Sequence, residues 1–249
     1  MIRGVIFDLG GTLMHFEGNW EEVDASSILR LVEYLRKRGI AVGDDFPPRF
    51  RAARERGWKI AEEQGIEARI DDALAEALEE LGIIFSRNGL LPDALRVYYE
   101  EGEQRWNAYP DAMETLRELQ KRNLRIGLIS NADSEHIVYG LVQQLGFALY
   151  LDPVISSASV PRWRKPDPRI FHLISDAWKV EPNEIAMVGD TVRYDILGAH
   201  RAGMRGILID RGDNAPWQRI PNELLNDPLI KPDLTIHTLA EIPLAIQLL

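Results

Sequence analysis

The chain has 249 residues, 45% of them hydrophobic and 27% charged, a balance that suits a globular fold of one or two domains around a sizeable core. Its net charge of -10 disfavours a nucleic-acid partner, which would need clustered Lys and Arg, and the absence of cysteine excludes disulfides, zinc–thiolate sites and thiol catalysis. No apolar run approaches the roughly 18 residues of a membrane span, so a cytoplasmic protein with no membrane partner is expected.

The first strand is predicted at Val5-Ile6-Phe7, a β-branched and aromatic run that delivers Asp8 into the turn Gly10-Gly11-Thr12. In an open α/β sheet such an acid faces the crevice beyond the carboxyl ends of the strands. The same residues also suit an ordinary strand-to-turn junction, and this stretch alone leaves both readings open.

Residues 15–19 read as a linker. Asn19, with Glu22 three residues on, starts a helix whose Ile28, Leu31, Val32 and Leu35 share one face and which Gly39 stops. Further amphipathic stretches run from Pro47-Pro48 to Ala61, through Leu74, Leu78 and Leu81, and from Pro92 past Tyr98 and Tyr99 towards Trp106. No strand is predicted between 17 and 107, so this is a helical insertion packed as a small four-helix bundle.

From Tyr109 helix and strand alternate: helix 111–122, strand 124–130, helix 134–145, strand 153–156, helix 167–178, strand 185–190, helix 194–202 and strand 205–209. A polar, proline-bearing stretch, 211–233, holds at most a short helix near 223–225; strand 234–236 and a final helix 239–249 follow. This alternation implies parallel pairing and right-handed crossovers. The expected fold class is therefore α/β, a doubly wound parallel sheet of Rossmann-like type (1–16 and 108–249) interrupted by an all-helical cap (17–107).

The ends of the predicted strands carry complementary chemistry. Asp8, Ser130-Asn131 and Gly189-Asp190 close three of them, Asp195 follows five residues after Asp190, and Lys165 precedes the helix at 167. Carboxylates with a backbone carbonyl make a hard oxygen site suited to Mg²⁺, which neutralises phosphate charge. Ser130 and backbone amides suit equatorial phosphate oxygens, Lys165 suits a negatively charged transition state, and Asp8 suits attack on phosphorus to give an aspartyl phosphate.

These stretches resemble the haloacid dehalogenase (HAD) superfamily of hydrolases, in the branch with a helical cap inserted after the first strand. The matching segments are Phe7-Asp8-Leu9-Gly10-Gly11-Thr12-Leu13, Leu128-Ile129-Ser130-Asn131, Arg164-Lys165-Pro166-Asp167-Pro168, and Val188-Gly189-Asp190-Thr191 through Asp195. Each is weak alone, but the four in order are specific and cover almost the whole chain. The resemblance implies Asp8 as nucleophile and metal ligand, Gly10 as carbonyl ligand of Mg²⁺ and Asp190 as second carboxylate ligand. It implies that Asp195 holds a metal-bound water or orients Lys165, and that Thr12, Ser130, Asn131 and the Gly11 turn bind the phosphoryl group or position Asp8. A small phosphorylated metabolite is the implied substrate and a monomer or homodimer the expected state.

One position departs from the pattern. Phosphatases of this family usually carry a second aspartate two residues after the nucleophile, to protonate the leaving group and later activate water; here that residue is Gly10. General acid–base catalysis contributes about 10² to 10⁴ in rate, so turnover is expected to be slow or restricted to good leaving groups. A substitute could come from His15, from Glu17 or from another acid at the cap hinge; His15 reads first as a solvent-facing linker residue. Dehalogenases and phosphonatases of the superfamily also lack that aspartate. The intact Asp190 and Asp195 argue against the first, and a cap with only Lys37 and Lys59 as imine-forming candidates argues against the second. A non-catalytic protein that keeps the phosphate and metal site is the rival from another class. In the cap, Arg49, Arg51, Arg54, Arg56 and Arg69 read as substrate contacts or as a solvated face. Trp20, Trp58 and Trp106 read as bundle core or crevice wall, and Trp163 is the preferred wall candidate.

Overall fold

The computed structural model describes residues 1–212, 215 and 218–249, without the side chain of Asn88, so part of the predicted 211–233 loop lies outside the described residues. Six parallel strands form the sheet: β1 (Gly4–Phe7), β4 (Arg125–Ser130), β5 (Val154–Ser156), β6 (Ile185–Gly189), β7 (Arg205–Ile209) and β8 (Leu234–Ile236), in the spatial order β5-β4-β1-β6-β7-β8. β1 is central, with Phe7 between Leu128 of β4 and Val188 of β6. The chain adds strands first on one side of β1 and then on the other, so the topological switch point lies at the end of β1, where Asp8 stands.

Both faces of the sheet are covered, which is why its strands read as continuous apolar runs. Val5 and Phe7 point into a cluster with Leu116 and Leu119 of α5 (Ala112–Lys121) and Val138 and Leu141 of α6 (Glu135–Gln144). Ile6 points the other way, among Phe171, Ile174 and Trp178 of α7 (Pro168–Trp178) and Ala199 of α8 (Leu197–Arg201). The alternation along β1 is the two-residue period of a strand. α8 is preceded by a π-helical turn, Val192–Ile196, where a plain helix is predicted.

The insertion consists of α1 (Trp20–Lys37), α2 (Phe46–Gln64), α3 (Ile70–Glu80) and α4 (Arg87–Glu103), which share a core of their own containing Ile28, Leu35, Phe50, Leu74 and Tyr98. Asn19 caps α1, its side chain accepting from the Glu21 and Glu22 amides. α4 begins before Pro92 and keeps the proline within its second turn, at the cost of one backbone bond.

Three predicted boundaries are corrected. The 15–19 linker is in part β2 (Met14–Phe16), which pairs antiparallel with β3 (Trp106–Ala108), so His15 lies opposite Asn107 and Phe16 opposite Trp106. This ribbon carries both chain crossings between helices and sheet. Three-residue strands some ninety residues apart leave no periodic signal. The final helix 239–249 is a single 3-10 turn, Leu239–Glu241, followed by α9 (Ile242–Ala245). Pro243 has no N–H for the Leu239 carbonyl and is favoured in a first helical turn, which suits an α-helix that starts at Ile242 rather than at Leu239. The short helix near 223–225 is a 3-10 turn, Asn222–Leu224. Among the described residues no helix is long and apolar enough to cross a membrane.

Candidate active site

Two strand ends, the π-helical turn and one loop bring the charged groups together. The Asp8 amide donates to the Val188 carbonyl (2.9 Å), continuing the β1–β6 ladder one residue past the strand and fixing where the carboxylate emerges. Lys165 Nζ donates to Asp8 Oδ1 (2.6 Å) and to Asp195 Oδ1 (2.6 Å), with 2% of the lysine exposed. One carboxylate oxygen from each of Asp8, Asp190 and Asp195 lies within 4.8 Å of the others.

The loops leave little freedom around this group. Asp195 Oδ2 accepts from the Thr191 amide (3.0 Å) and hydroxyl, so with Lys165 on Oδ1 both its oxygens are engaged. A side chain at Gly189 would overlap Asp195, and one at Gly11, whose φ is +81°, would overlap the Asp190 carboxylate. Gln218 donates to Asp190 Oδ2 (3.0 Å), a contact that nothing in the sequence pattern signals.

Two residues expected at the substrate also make contacts within the protein. Asn131 Nδ2 donates to the Lys165 carbonyl and its Oδ1 accepts from the Lys165 amide, both at 2.9 Å, so this side chain fixes the lysine loop. The Gly11 amide donates to the Met14 carbonyl (2.7 Å). Thr12 is fully buried, its Oγ1 without a partner among the described residues, while Ser130 lines the crevice.

Burial pushes the Asp8 carboxyl up to about 6; Lys165 opposes that rise and Asp195 adds to it. Burial works to lower the Lys165 ammonium, but Asp195 and Asp8 outweigh it and hold the group well above its ordinary value. A protonated lysine between two carboxylates is the resulting state.

The helices close over the crevice. The α2–α3 loop pairs with the loop before Lys165: the Glu67 amide donates to the Arg162 carbonyl (2.7 Å) and the Arg164 amide to the Gly65 carbonyl (3.2 Å). Glu62 on α2 pairs with Arg193, accepts from Tyr194 Oη (3.0 Å) and lies 2.9 Å from Arg164 Nη1. Glu67 accepts from Ser157 Oγ (2.6 Å) and lies 3.5 Å from Arg164 Nε. Neither Nε nor Nη1 of Arg164 aims its hydrogen at these oxygens, so the contacts are ion pairs without hydrogen bonds. Tyr99 on α4 donates to Asp133 Oδ1 (2.6 Å).

The space enclosed is a cavity of about 400 Å³ in which Asp8, Gly10, Ser130 and Asn131 meet Trp20, Trp58 and Trp106. The wall is thus built by the three tryptophans, correcting the expectation for Trp163, which packs beside the α7 cluster under the Arg169 guanidinium (4.9 Å). Trp106 also closes over Gly10: a Cβ there would lie 3.3 Å from its Cη2. The His15 ring packs against Tyr109 at a tilt (4.9 Å, 46°) and Glu17 accepts from Asn107 (3.2 Å), and neither lines the cavity. The acids that do, apart from Asp8, are Glu67, Glu103 and Asp133. Burial raises Glu67 against the opposing pull of Arg164 and Ser157, and raises Asp133 against that of Tyr99. Of the arginines of the helical insertion, Arg49, Arg51, Arg54, Arg56 and Arg69 all pair with acids of the same insertion; Lys37 pairs with Glu33, and Lys59 is exposed.

Comparison with known proteins bears on the family and the fold. A family model described as haloacid dehalogenase-like hydrolase matches residues 2–203. A phosphoserine phosphatase of Thermus thermophilus is 35% identical over 170 residues, covering 68% of this chain and 62% of that relative's length. An (S)-2-haloacid dehalogenase 4A of Burkholderia cepacia is 34% identical over 230 residues, 86% of each chain. Among solved structures, a 2-haloacid dehalogenase from Pseudomonas syringae pv. Tomato superposes with a TM-score of 0.71 at 25% identity, covering 99% of both chains.

Proposed function

This chain belongs to the haloacid dehalogenase-like hydrolases, and on that premise we propose that it is a Mg²⁺-dependent phosphatase acting through an aspartyl phosphate on Asp8. The observation that carries the reading is the convergence of Asp8, Asp190 and Asp195, one oxygen of each within 4.8 Å of the others, with the Lys165 ammonium held between Asp8 and Asp195. Three carboxylates against one cation leave a surplus of negative charge, and oxygen donors of that kind fit a hard divalent ion. Asp8, Asp190 and the Gly10 carbonyl would hold Mg²⁺, which supplies charge neutralisation on a bound phosphate. Asp195, with both oxygens engaged, orients Lys165.

In this reading an Asp8 oxygen attacks phosphorus, while Lys165 and the Ser130 hydroxyl hold the phosphoryl oxygens and stabilise the charge of the transition state. Asn131 keeps Lys165 in reach through its paired backbone bonds. The segment 17–107 acts as a cap over a core formed by 1–16 and 108–249. It hinges on the β2–β3 ribbon, and its opening parts Glu62 from Arg164 and Arg193.

The similarity to haloacid dehalogenases over most of the chain supports a second reading, attack of Asp8 on a halogen-bearing carbon. The retained Asp190 favours the first, because metal-independent carbon chemistry has no need of it. Purified protein offered phosphomonoesters with Mg²⁺ should release phosphate, lose that activity with a chelator, and lose it in Asp8→Asn. Halide release from 2-haloacids in the presence of chelator, with no phosphate release, would transfer the assignment to the second reading.

A further inference from the structure

Resting on the phosphatase reading, we propose that the crevice takes an aryl monophosphate, an ester whose leaving group is aromatic and carries no carboxylate. Three separate observations point there.

The first is the wall. Phe46, Phe50 and Tyr98 fill the cap's interior, and Trp20 and Trp58 stand outside that cluster. They remain 52% and 53% exposed, yet both line the cavity that contains Asp8. Trp106 joins them, 6.5 Å from Trp20 between ring centroids and at 62°. Half-exposed tryptophans turned towards a reactive carboxylate are apolar surface awaiting a planar apolar partner.

The second is position 10. Gly10 has no proton to give, and the Trp106 ring already stands against the space an acid there would use. A phenol, with a pKa of about 10, leaves as its anion far more readily than an alcohol, whose pKa lies near the value of about 15.7 for water. An aryl ester therefore needs no acid at this place. Asp8 forms the new P–O bond, the bond to the aryl oxygen breaks with its electron pair going to that oxygen, and the phenoxide takes its proton from solvent after leaving. Water then hydrolyses the aspartyl phosphate.

The third is charge. Among the described residues, the part of the crevice walled by Trp20 and Trp106 holds Glu67, Glu103 and Asp133 against Arg164, which Glu62 and Glu67 already engage, while Lys165, Arg193 and Arg219 line the other side of Asp8, towards Asp190. A leaving group bearing a carboxylate would meet like charge there.

Two measurements test this. Phenylphosphonate and methylphosphonate, neither of them hydrolysable, are titrated against tryptophan fluorescence in the presence of Mg²⁺; the aryl compound should bind at least about tenfold more tightly, and Trp58→Ala and Trp20→Ala should erase that difference while the far-ultraviolet circular dichroism is unchanged. Phenyl phosphate, benzyl phosphate and O-phosphoserine are then compared as substrates. Phenyl phosphate should exceed the other two by about 10²-fold in kcat/KM, with benzyl phosphate inhibiting phenyl phosphate hydrolysis at a concentration near the KM of the latter. O-Phosphoserine hydrolysed as well as phenyl phosphate would overturn the proposal and leave the phosphatase reading standing, as would equal binding of the two phosphonates. Selective phenylphosphonate binding with no turnover of any ester would uphold the aryl site and overturn the phosphatase reading. Neither binding nor turnover would overturn both.

Discussion

Gly10→Asp restores the group whose absence defines this site, and the structure sets what it costs and where it helps. Gly10 has an ordinary backbone conformation, unlike Gly11 with φ +81°, so a side chain is tolerated there without backbone strain. The new Cβ would stand 3.3 Å from Trp106 Cη2 and 3.6 Å from Cζ3, close enough that the ring must yield by a few tenths of an ångström. Trp106 packs edge-on against Phe16 (5.3 Å) and towards the half-exposed Trp20, so it has room to shift. The strain is about 1 to 3 kcal/mol, the range for modest overpacking. The gain falls on esters that need protonation: kcat/KM for benzyl phosphate should rise about 10²-fold, while phenyl phosphate, whose leaving group departs unaided, should change by less than about threefold. Phosphate release under Mg²⁺ saturation, with both esters at several concentrations, reads the two effects side by side. An equal gain on both esters would refute the leaving-group argument. Measurable wild-type activity on benzyl phosphate that the variant leaves unchanged would show that Glu67, Glu103 or Asp133 already supplies the proton.

Lys165→Met leaves Asp8 and Asp195 buried together without their shared cation, which should cost about 3 to 5 kcal/mol in chemical denaturation. Adding Asp195→Asn should recover part of the loss, since it removes one of the stranded charges. Away from the site, Asp233 accepts from the Gly206 amide (2.8 Å), His200 Nε2 (2.9 Å) and Arg205 (3.1 Å). Against burial, which alone would raise it, these contacts hold its carboxyl below the usual range. A carboxyl lowered in the folded state contributes stability that is present above the unfolded value of about 3.9 and is lost as pH falls through the folded one. Asp233→Asn should therefore be less stable than wild type at pH 7 by up to about 1 kcal/mol, since solvent screens these contacts, and the gap should narrow in acid below both values. A gap that stays constant with pH would exclude the ionic contribution.

The sheet and the reactive cluster were legible because each rests on local pattern. β1, β4 and β6 are apolar runs that stop at Asp8, Ser130 and Asp190, and parallel topology brings such endings to one edge. The tryptophan wall was legible only as composition. Trp106 reaches Gly10 through the β2–β3 ribbon, Trp20 begins a helix, and Trp58 sits on a helix whose own buried face holds Phe46 and Phe50. Which of them faces the crevice depends on how the bundle is docked. That docking runs through Glu62, Glu67 and Tyr99, each paired with a core residue distant in sequence, and such pairs leave no periodic trace. The role of Asn131 in holding the lysine loop is illegible for a similar reason: an amide at a strand end suits a phosphate, and its paired bonds to the Lys165 backbone reach a loop that no periodic pattern places.

In the proposed reaction Asp8 carries the phosphoryl group. Acid-quenching the protein during turnover of phenyl phosphate with Mg²⁺, followed by peptide mass mapping, should find one phosphoryl group on Asp8, absent from Asp8→Asn. Phosphate release without any label at Asp8, or undiminished in Asp8→Asn, would contradict the account.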